Sequence, residues 1–183
     1  MNGSTLPKLR LLSMALLAAA GLAGCAWFAE RPPAPPPAPP QPPVPSYDLV
    51  ASIRAAGARE QSVIAVNGVM DPGIAGFKDA AARADGEGHY DQAAALLDQA
   101  LKLSPDSPDL LQDRAEIAIR QRDFAKAEAL ARKSWSLGPK LGSLCARNWQ
   151  TIVEIRLQQR DLAGATAARK SVQECHKPGV TRY

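Results

Sequence analysis

Five side chains in this 183-residue sequence have types that could carry redox, covalent or metal chemistry: the cysteines Cys25, Cys145 and Cys175 and the histidines His89 and His176. The histidines stand far apart. His89 falls in a turn and His176 beside Cys175, with no acidic cluster around either, so solvated roles outweigh metal ligation or general-base work. No Ser-His-Asp order, glycine-rich phosphate loop or metal-spaced cluster accompanies them. The cysteines lack Cys-x-x-Cys spacing, which disfavours a redox-active pair. A catalytic centre, a metal, a cofactor and a small-molecule substrate are therefore not expected. The net charge of +4 includes Lys8 and Arg10 in a segment expected to be removed, and near balance in the remainder gives no support to nucleic-acid binding.

Cys25 ends an export-type start. Lys8 and Arg10 supply positive charge, Leu11 to Ala20 an apolar run too short to span a bilayer comfortably, and Leu22-Ala23-Gly24 small residues before the cysteine. Leu22-Ala23-Gly24-Cys25 resembles the lipobox of bacterial lipoproteins. That resemblance implies diacylation of the Cys25 thiol, removal of residues 1–24 and acylation of the new amine, and Ala26 after the cysteine implies transfer to the outer membrane. Several acyl chains, at about 0.8 kcal/mol per buried methylene, hold a protein stably on a membrane where one does not. The alternatives are an ordinary secretory signal with an incidental cysteine, or an uncleaved anchor.

Residues 25–45 read as the lipidated cysteine and a spacer. Ten of the fourteen residues from Pro32 to Pro45 are proline, which blocks helix and sheet bonding and favours an extended polyproline helix. At about 3.1 Å per residue it would hold a domain roughly 40 Å from the lipid. Residues 46–71 are a lead-in segment. Leu49, Val50, Ile53 and Ala56 fall at helical spacing and predict a short amphipathic helix ending near Gly57, while Ser62 to Met70 is β-branched and broken by Asn67-Gly68. It would either dock on the first repeat or act as an interaction strand.

Beyond it one pattern occurs three times, in Gly88-His89-Tyr90-Asp91-Gln92-Ala93, Arg122-Asp123-Phe124-Ala125-Lys126-Ala127 and Arg160-Asp161-Leu162-Ala163-Gly164-Ala165. A turn or capping residue precedes a large apolar residue, and three residues later an alanine lets a neighbouring helix approach. Tyr90 and Phe124 are 34 residues apart, and Pro105 and Pro139 end the helices that those residues open. A 34-residue helix-turn-helix unit of this kind resembles the tetratricopeptide repeat, whose members stack into a right-handed solenoid and bind other proteins. The predicted fold is all-α: about three helical hairpins over residues 72–178, with a tail at 179–183. Leu162 lies 38 residues after Phe124, so the third hairpin's first helix should be about one turn longer, with Trp149, Ile152 and Val153 inward.

That frame positions the remaining candidates. Antiparallel helices bring Cys145, at the start of one helix, beside Cys175, at the end of the next, and an oxidising periplasm would let them pair and cap the open end of the array; two buried free thiols are the alternative. In tetratricopeptide arrays the first helix of each hairpin lines the concave surface. The positions that match its outward-facing residues are Lys78, Gln112, Glu116, Arg120, Arg147, Gln150, Glu154 and Gln158, a polar, mixed-charge face that is either a partner site or simply solvated. A carboxylate-clamp version is disfavoured, since Ala82 stands where its first asparagine would be. The C-terminal end is the more basic, with seven positive against three negative side chains over residues 142–183. The expected function is a non-catalytic scaffold or assembly factor for an envelope complex, bound to a protein partner and anchored to the outer membrane with its domain in the periplasm. The alternative is an accessory to a peptidoglycan-active enzyme.

Overall fold

The turns that the repeat pattern marks are all built alike. Gly88, Arg122 and Arg160 have φ of 80°, 60° and 60°, the left-handed conformation that closes a helix. The amide of the next residue reaches back into the last turn of the preceding helix: His89 donates to the Ala84 carbonyl at 2.8 Å, Asp123 to Ala118 at 2.9 Å and Asp161 to Arg156 at 2.8 Å. Glycine takes this conformation freely in the first hairpin, whereas arginine takes it in the others at a cost of about 1–2 kcal/mol. The chain then enters the next helix, capped by Asp123 on the Lys126 amide and by Asp161 on the Gly164 amide.

The computed structural model describes residues 42–60 and 71–176, which form seven helices and no strand. Helix α1 spans Leu49–Arg59, α2 Pro72–Gly86, α3 Tyr90–Leu103, α4 Pro108–Arg120, α5 Phe124–Leu137, α6 Ser143–Gln158 and α7 Leu162–Glu174. Proline in the first turn opens α2 and α4, where its missing N–H costs nothing, and Asp71 caps α2 through the Gly73 and Ile74 amides. Helices α2/α3, α4/α5 and α6/α7 pair as hairpins, and successive hairpins stack through α3 on α4 and α5 on α6. This is the tetratricopeptide-type fold. The third hairpin's first helix is longer, at 16 residues against 13 for α4, as the 38-residue spacing predicts.

Alanine sets the helix separation. Ala93, Ala127 and Ala165, one per turn motif, are each 0% exposed, and each lets its helix approach where a larger side chain would hold it off. Around them Ala115, Ala131, Ile152, Val153 and Ala168 form one cluster, and Ala81, Ala93, Leu97, Ala100, Leu110 and Ile117 belong to another. Trp149 is half-buried rather than inward, lying edge-on to Trp135 with ring centroids 5.4 Å apart. Leu162 is exposed, because no described helix follows α7 to cover it.

Cys145 and Cys175 are joined in a disulfide, with Cα atoms 5.6 Å apart, between the first turn of α6 and the cap of α7. The Gly142 amide donates to the Cys175 carbonyl at 2.7 Å, tying the same end to the α5–α6 loop. Closing a loop of 30 residues contributes on the order of 3 kcal/mol. Segments 1–24 and 25–41, with Cys25 and most of the spacer, lie outside the described residues, as do Ser62 to Met70 and the tail at 179–183. Among the described residues no helix is long and apolar enough to cross a membrane.

Candidate functional site

Helices α2, α4 and α6 turn one side toward their hairpin partners and the other toward a shared concave face. The sequence pattern places Gln112, Glu116, Arg147, Gln150 and Glu154 on that face, and they are there, but it is not free. Helix α1 lies in it, packed mainly on α6 and also on α4. The lead-in therefore docks mainly on the third hairpin and also on the second, and touches the first only through Arg54 and Asp85. Spacing along the chain limits how far such a helix can reach but does not choose its berth; apolar and polar complementarity does.

The apolar side of α1 is the predicted one. Val50 and Ile53 join Ala118, Ile119, Ala127 and Ile155 in a buried cluster, with Leu49 and Phe124 at its margin. Gly57 lies hard against α6: a Cβ there would stand 2.6 Å from Cγ of Arg147 and 2.9 Å from the Ser143 hydroxyl. Only a glycine admits that approach.

The polar side supplies donors to carboxylates. Arg54 of α1 donates from Nε to Glu116 at 2.8 Å and from a terminal nitrogen to Asp85 at 2.9 Å. Glu154 accepts from the Tyr47 hydroxyl at 2.8 Å, the Ser52 hydroxyl at 2.6 Å and the Gln150 amide at 2.7 Å. Arg120 holds Asp48, the cap of α1, at 2.7 Å, and also reaches Asp85. Gln158 donates to the Pro45 carbonyl at 3.1 Å, fixing the last turn of the spacer.

A second layer lies beneath. Arg147 donates to Glu116 and to Asp113, and Asp113 also pairs with Lys78 at 3.1 Å. Gln112 donates to Glu116 at 3.1 Å and to the Thr151 hydroxyl at 2.9 Å. Gln112, Glu116 and Glu154 are 0% exposed, and Lys78, Arg120, Arg147, Gln150 and Gln158 are half-buried. The free polar surface expected at these positions is thus an internal contact. Helical periodicity states which way a side chain points but not what comes to cover it.

The electrostatics follow from that packing. Burial penalises the Arg147 charge, yet the Glu116 and Asp113 carboxylates outweigh it and hold its pKa above the usual guanidinium value. Arg54 and Arg120 are raised in the same way, against the cost of burial, by Glu116 and Asp48 respectively. Burial raises the Asp48 carboxyl, but the Ala51 amide and Arg120 overcome it and leave the group below its ordinary value. Burial, with the Glu154 bond and charge, pushes Tyr47 up to about 12.

Two openings remain beside α1. A slot of about 220 Å³ has Ala81, Ala82 and Ile117 on its floor and Arg54, Lys78 and Asp85 at its rim, on the part of the face that the first hairpin contributes. A cleft of about 650 Å³ at the turn edge is lined by Tyr47, Tyr90, Phe124, Arg120, Arg122 and Gln158. Sequence reasoning missed Tyr47, Ser52, Arg54, Asp85 and Asp113 as parts of this site. The only available signal was the Asp48 cap opening an amphipathic stretch. His176, read as solvated, is largely exposed but lies 2.9 Å from Glu60 just past α1, a neighbour that the chain brings from 116 residues away.

Comparison with known proteins adds three findings. The tetratricopeptide repeat family model matches residues 86–143. Among solved structures the chain is similar to the globular C-terminal domain of P. aeruginosa LpoP, with 31% sequence identity and a TM-score of 0.55, over 57% of this chain and 99% of that one. No match is found among curated protein sequences.

Proposed function

The chain belongs to the tetratricopeptide repeat proteins, and from that premise we propose that it works by binding a protein partner in the cell envelope, as a non-catalytic accessory to a peptidoglycan-active enzyme. Lipid on Cys25 would hold it to the periplasmic face of the outer membrane, and the proline-rich spacer would set the domain off toward the cell wall. The observation that carries the reading is the likeness to the LpoP domain. At 31% identity it covers 99% of that chain and 57% of this one, so the likeness takes in that whole domain.

The fold is consistent with binding rather than turnover. Among the described residues the carboxylates and guanidinium groups of the concave face pair with one another, while Gln112 Oε1 and the Asn148 amide are buried without a hydrogen bond, and the cleft at the turn edge presents aromatic rings, two guanidinium groups and an amide. Such a surface suits a protein chain. A scaffold or assembly factor for another envelope complex is the competing reading, and it rests on the repeat fold alone.

Affinity capture of the full-length protein from crosslinked envelopes separates the two. Enrichment of wall synthases or hydrolases is expected, whereas secretion or barrel-assembly components in their place would overturn the accessory reading. In the same cells an alkyne-labelled fatty acid should mark the parent protein but not Cys25→Ser, which also keeps residues 1–24. Absence of label on the parent would refute the lipid anchor.

A further inference from the structure

The concave face holds a helix in the way that a receptor groove holds a ligand. Its floor is apolar where Ala118, Ile119 and Ile155 meet Val50 and Ile53. Its walls carry the carboxylates Asp85, Glu116 and Glu154, and each takes hydrogen bonds from α1 or the residues just before it. The cores that stack the hairpins lie on the other side of α2, α4 and α6. If α1 left, those cores would stay packed and a groove with an apolar floor and acidic walls would open.

We infer that this groove is a receptor for a basic amphipathic helix of the partner protein, and that α1 is a built-in occupant which the partner helix replaces. The inference rests on the reading of this protein as a partner-binding one, but not on which partner it is. The contacts of α1 state what the incoming helix must carry. It needs an aliphatic ridge, a small residue at the close approach to Arg147, and an arginine for Glu116 and Asp85. A hydroxyl or amine donor must reach Glu154.

A competitor has to overcome the local concentration of a tethered α1, on the order of millimolar for a short connection. The structure offers it a means. Helix α1 leaves vacant the 220 Å³ slot between Arg54 and Lys78, over Ala81 and Ala82. A partner helix with a bulky apolar residue beside its arginine would fill that slot and gain contact that α1 lacks.

The test uses the full chain and a fluorescein-labelled synthetic peptide with the sequence of residues 45–60, followed by fluorescence anisotropy. Gly57→Ala puts a methyl against Arg147 while favouring the helix itself, so it should evict α1 without altering the groove. The peptide should bind this variant at least tenfold more tightly than the parent chain, and Arg54→Glu within the peptide should lose at least tenfold. A Gly57→Ala chain that keeps its near-UV circular dichroism and exposes Arg59 to trypsin, yet does not take up the peptide, overturns the proposal. So does equal binding to parent and variant, or indifference to Arg54→Glu.

A second format does not depend on eviction by a methyl group. A protease site inserted between Asn67 and Gly68, cut after folding, leaves α1 held by its contacts alone. Excess labelled peptide should then exchange into the groove within hours, and no exchange would overturn the proposal. Neither result depends on the captured enzyme, so the groove can fail while the accessory reading stands, and the reverse.

Discussion

Ala115 and Glu116 are neighbours in α4, and Val153 and Glu154 are neighbours in α6; all four are at most 1% exposed. Ala115 and Val153 face the hairpin partners and meet carbon. Glu116 and Glu154 face the concave side and are buried with their charges, among arginines, hydroxyls and amides. The two sides of one helical layer are thus equally closed and chemically opposite. An alanine-lined interface needs only the correct period and small volume, and it forms between any hairpins that satisfy both. A buried carboxylate needs specific donors in place, so its interface accepts one occupant and rejects others.

The largest test of that contrast is Glu116→Ala. It strips Arg54, Arg147 and Gln112 of a shared acceptor and leaves a half-buried guanidinium short of its counter-charge, so unfolding in urea should show a loss of about 3–5 kcal/mol. A loss under about 1 kcal/mol would mean that water replaces the network and that the groove is less exacting than its geometry suggests.

Cys175→Ser is next. It should lower stability by about 3 kcal/mol, seen as a fall of roughly 10–20 °C in Tm. Because the bridge lies at the end of the array, beside the C-terminal end of α1 where Gly57 meets Ser143 and Arg147 and Glu60 meets His176, trypsin cleavage at Arg59 under native conditions should be faster than in the parent.

Arg122→Gly isolates the backbone strain at a hairpin turn, where φ is 60°. Relief of the left-handed penalty, less the extra entropy of glycine in the unfolded chain, should raise stability by up to about 1 kcal/mol. Gly88→Ala, at φ of 80°, should lower it by a similar amount.

The pH response of α1 is the smallest effect and the most local. The Asp48 carboxyl is depressed on folding, so its contribution is present above the unfolded value of about 3.9 and fades as pH falls through the lower folded value. Tyr47 is raised to about 12, so its contribution is complete below the unfolded value of about 10 and disappears as pH rises toward 12. Hydrogen exchange of the α1 amides, measured against the intrinsic rate at each pH, should lose protection at the acid end. At the alkaline end, absorbance at 295 nm should show one tyrosine titrating late, and Glu154→Gln should bring it back toward 10.

Much of the first side of the layer was legible in the sequence. The 34-residue interval, the proline openings of α2 and α4, the alanines three residues into α3, α5 and α7, and the longer α6 follow from local rules that act within a helix or across one turn. The disulfide was legible for the same reason, since antiparallel neighbours in a known hairpin bring fixed ends together. Arg122 and Arg160 in a left-handed conformation were not signalled by residue type, because only their repeat position shared with Gly88 gives them away.

The amino-acid order by itself determined that residues from the seventies onward form stacked hairpins and that α1 is an amphipathic helix, because period, caps and breakers are properties of neighbouring residues. Only the tertiary structure decided that α1 lies in the concave face, that Glu116 and Glu154 are buried rather than offered to solvent, and that Arg54 answers the first and Ser52 the second. Those contacts join residues 62 and 102 positions apart. At that separation no local preference operates, and the pairing is settled by which surfaces can bury their carbon and satisfy their charges at once.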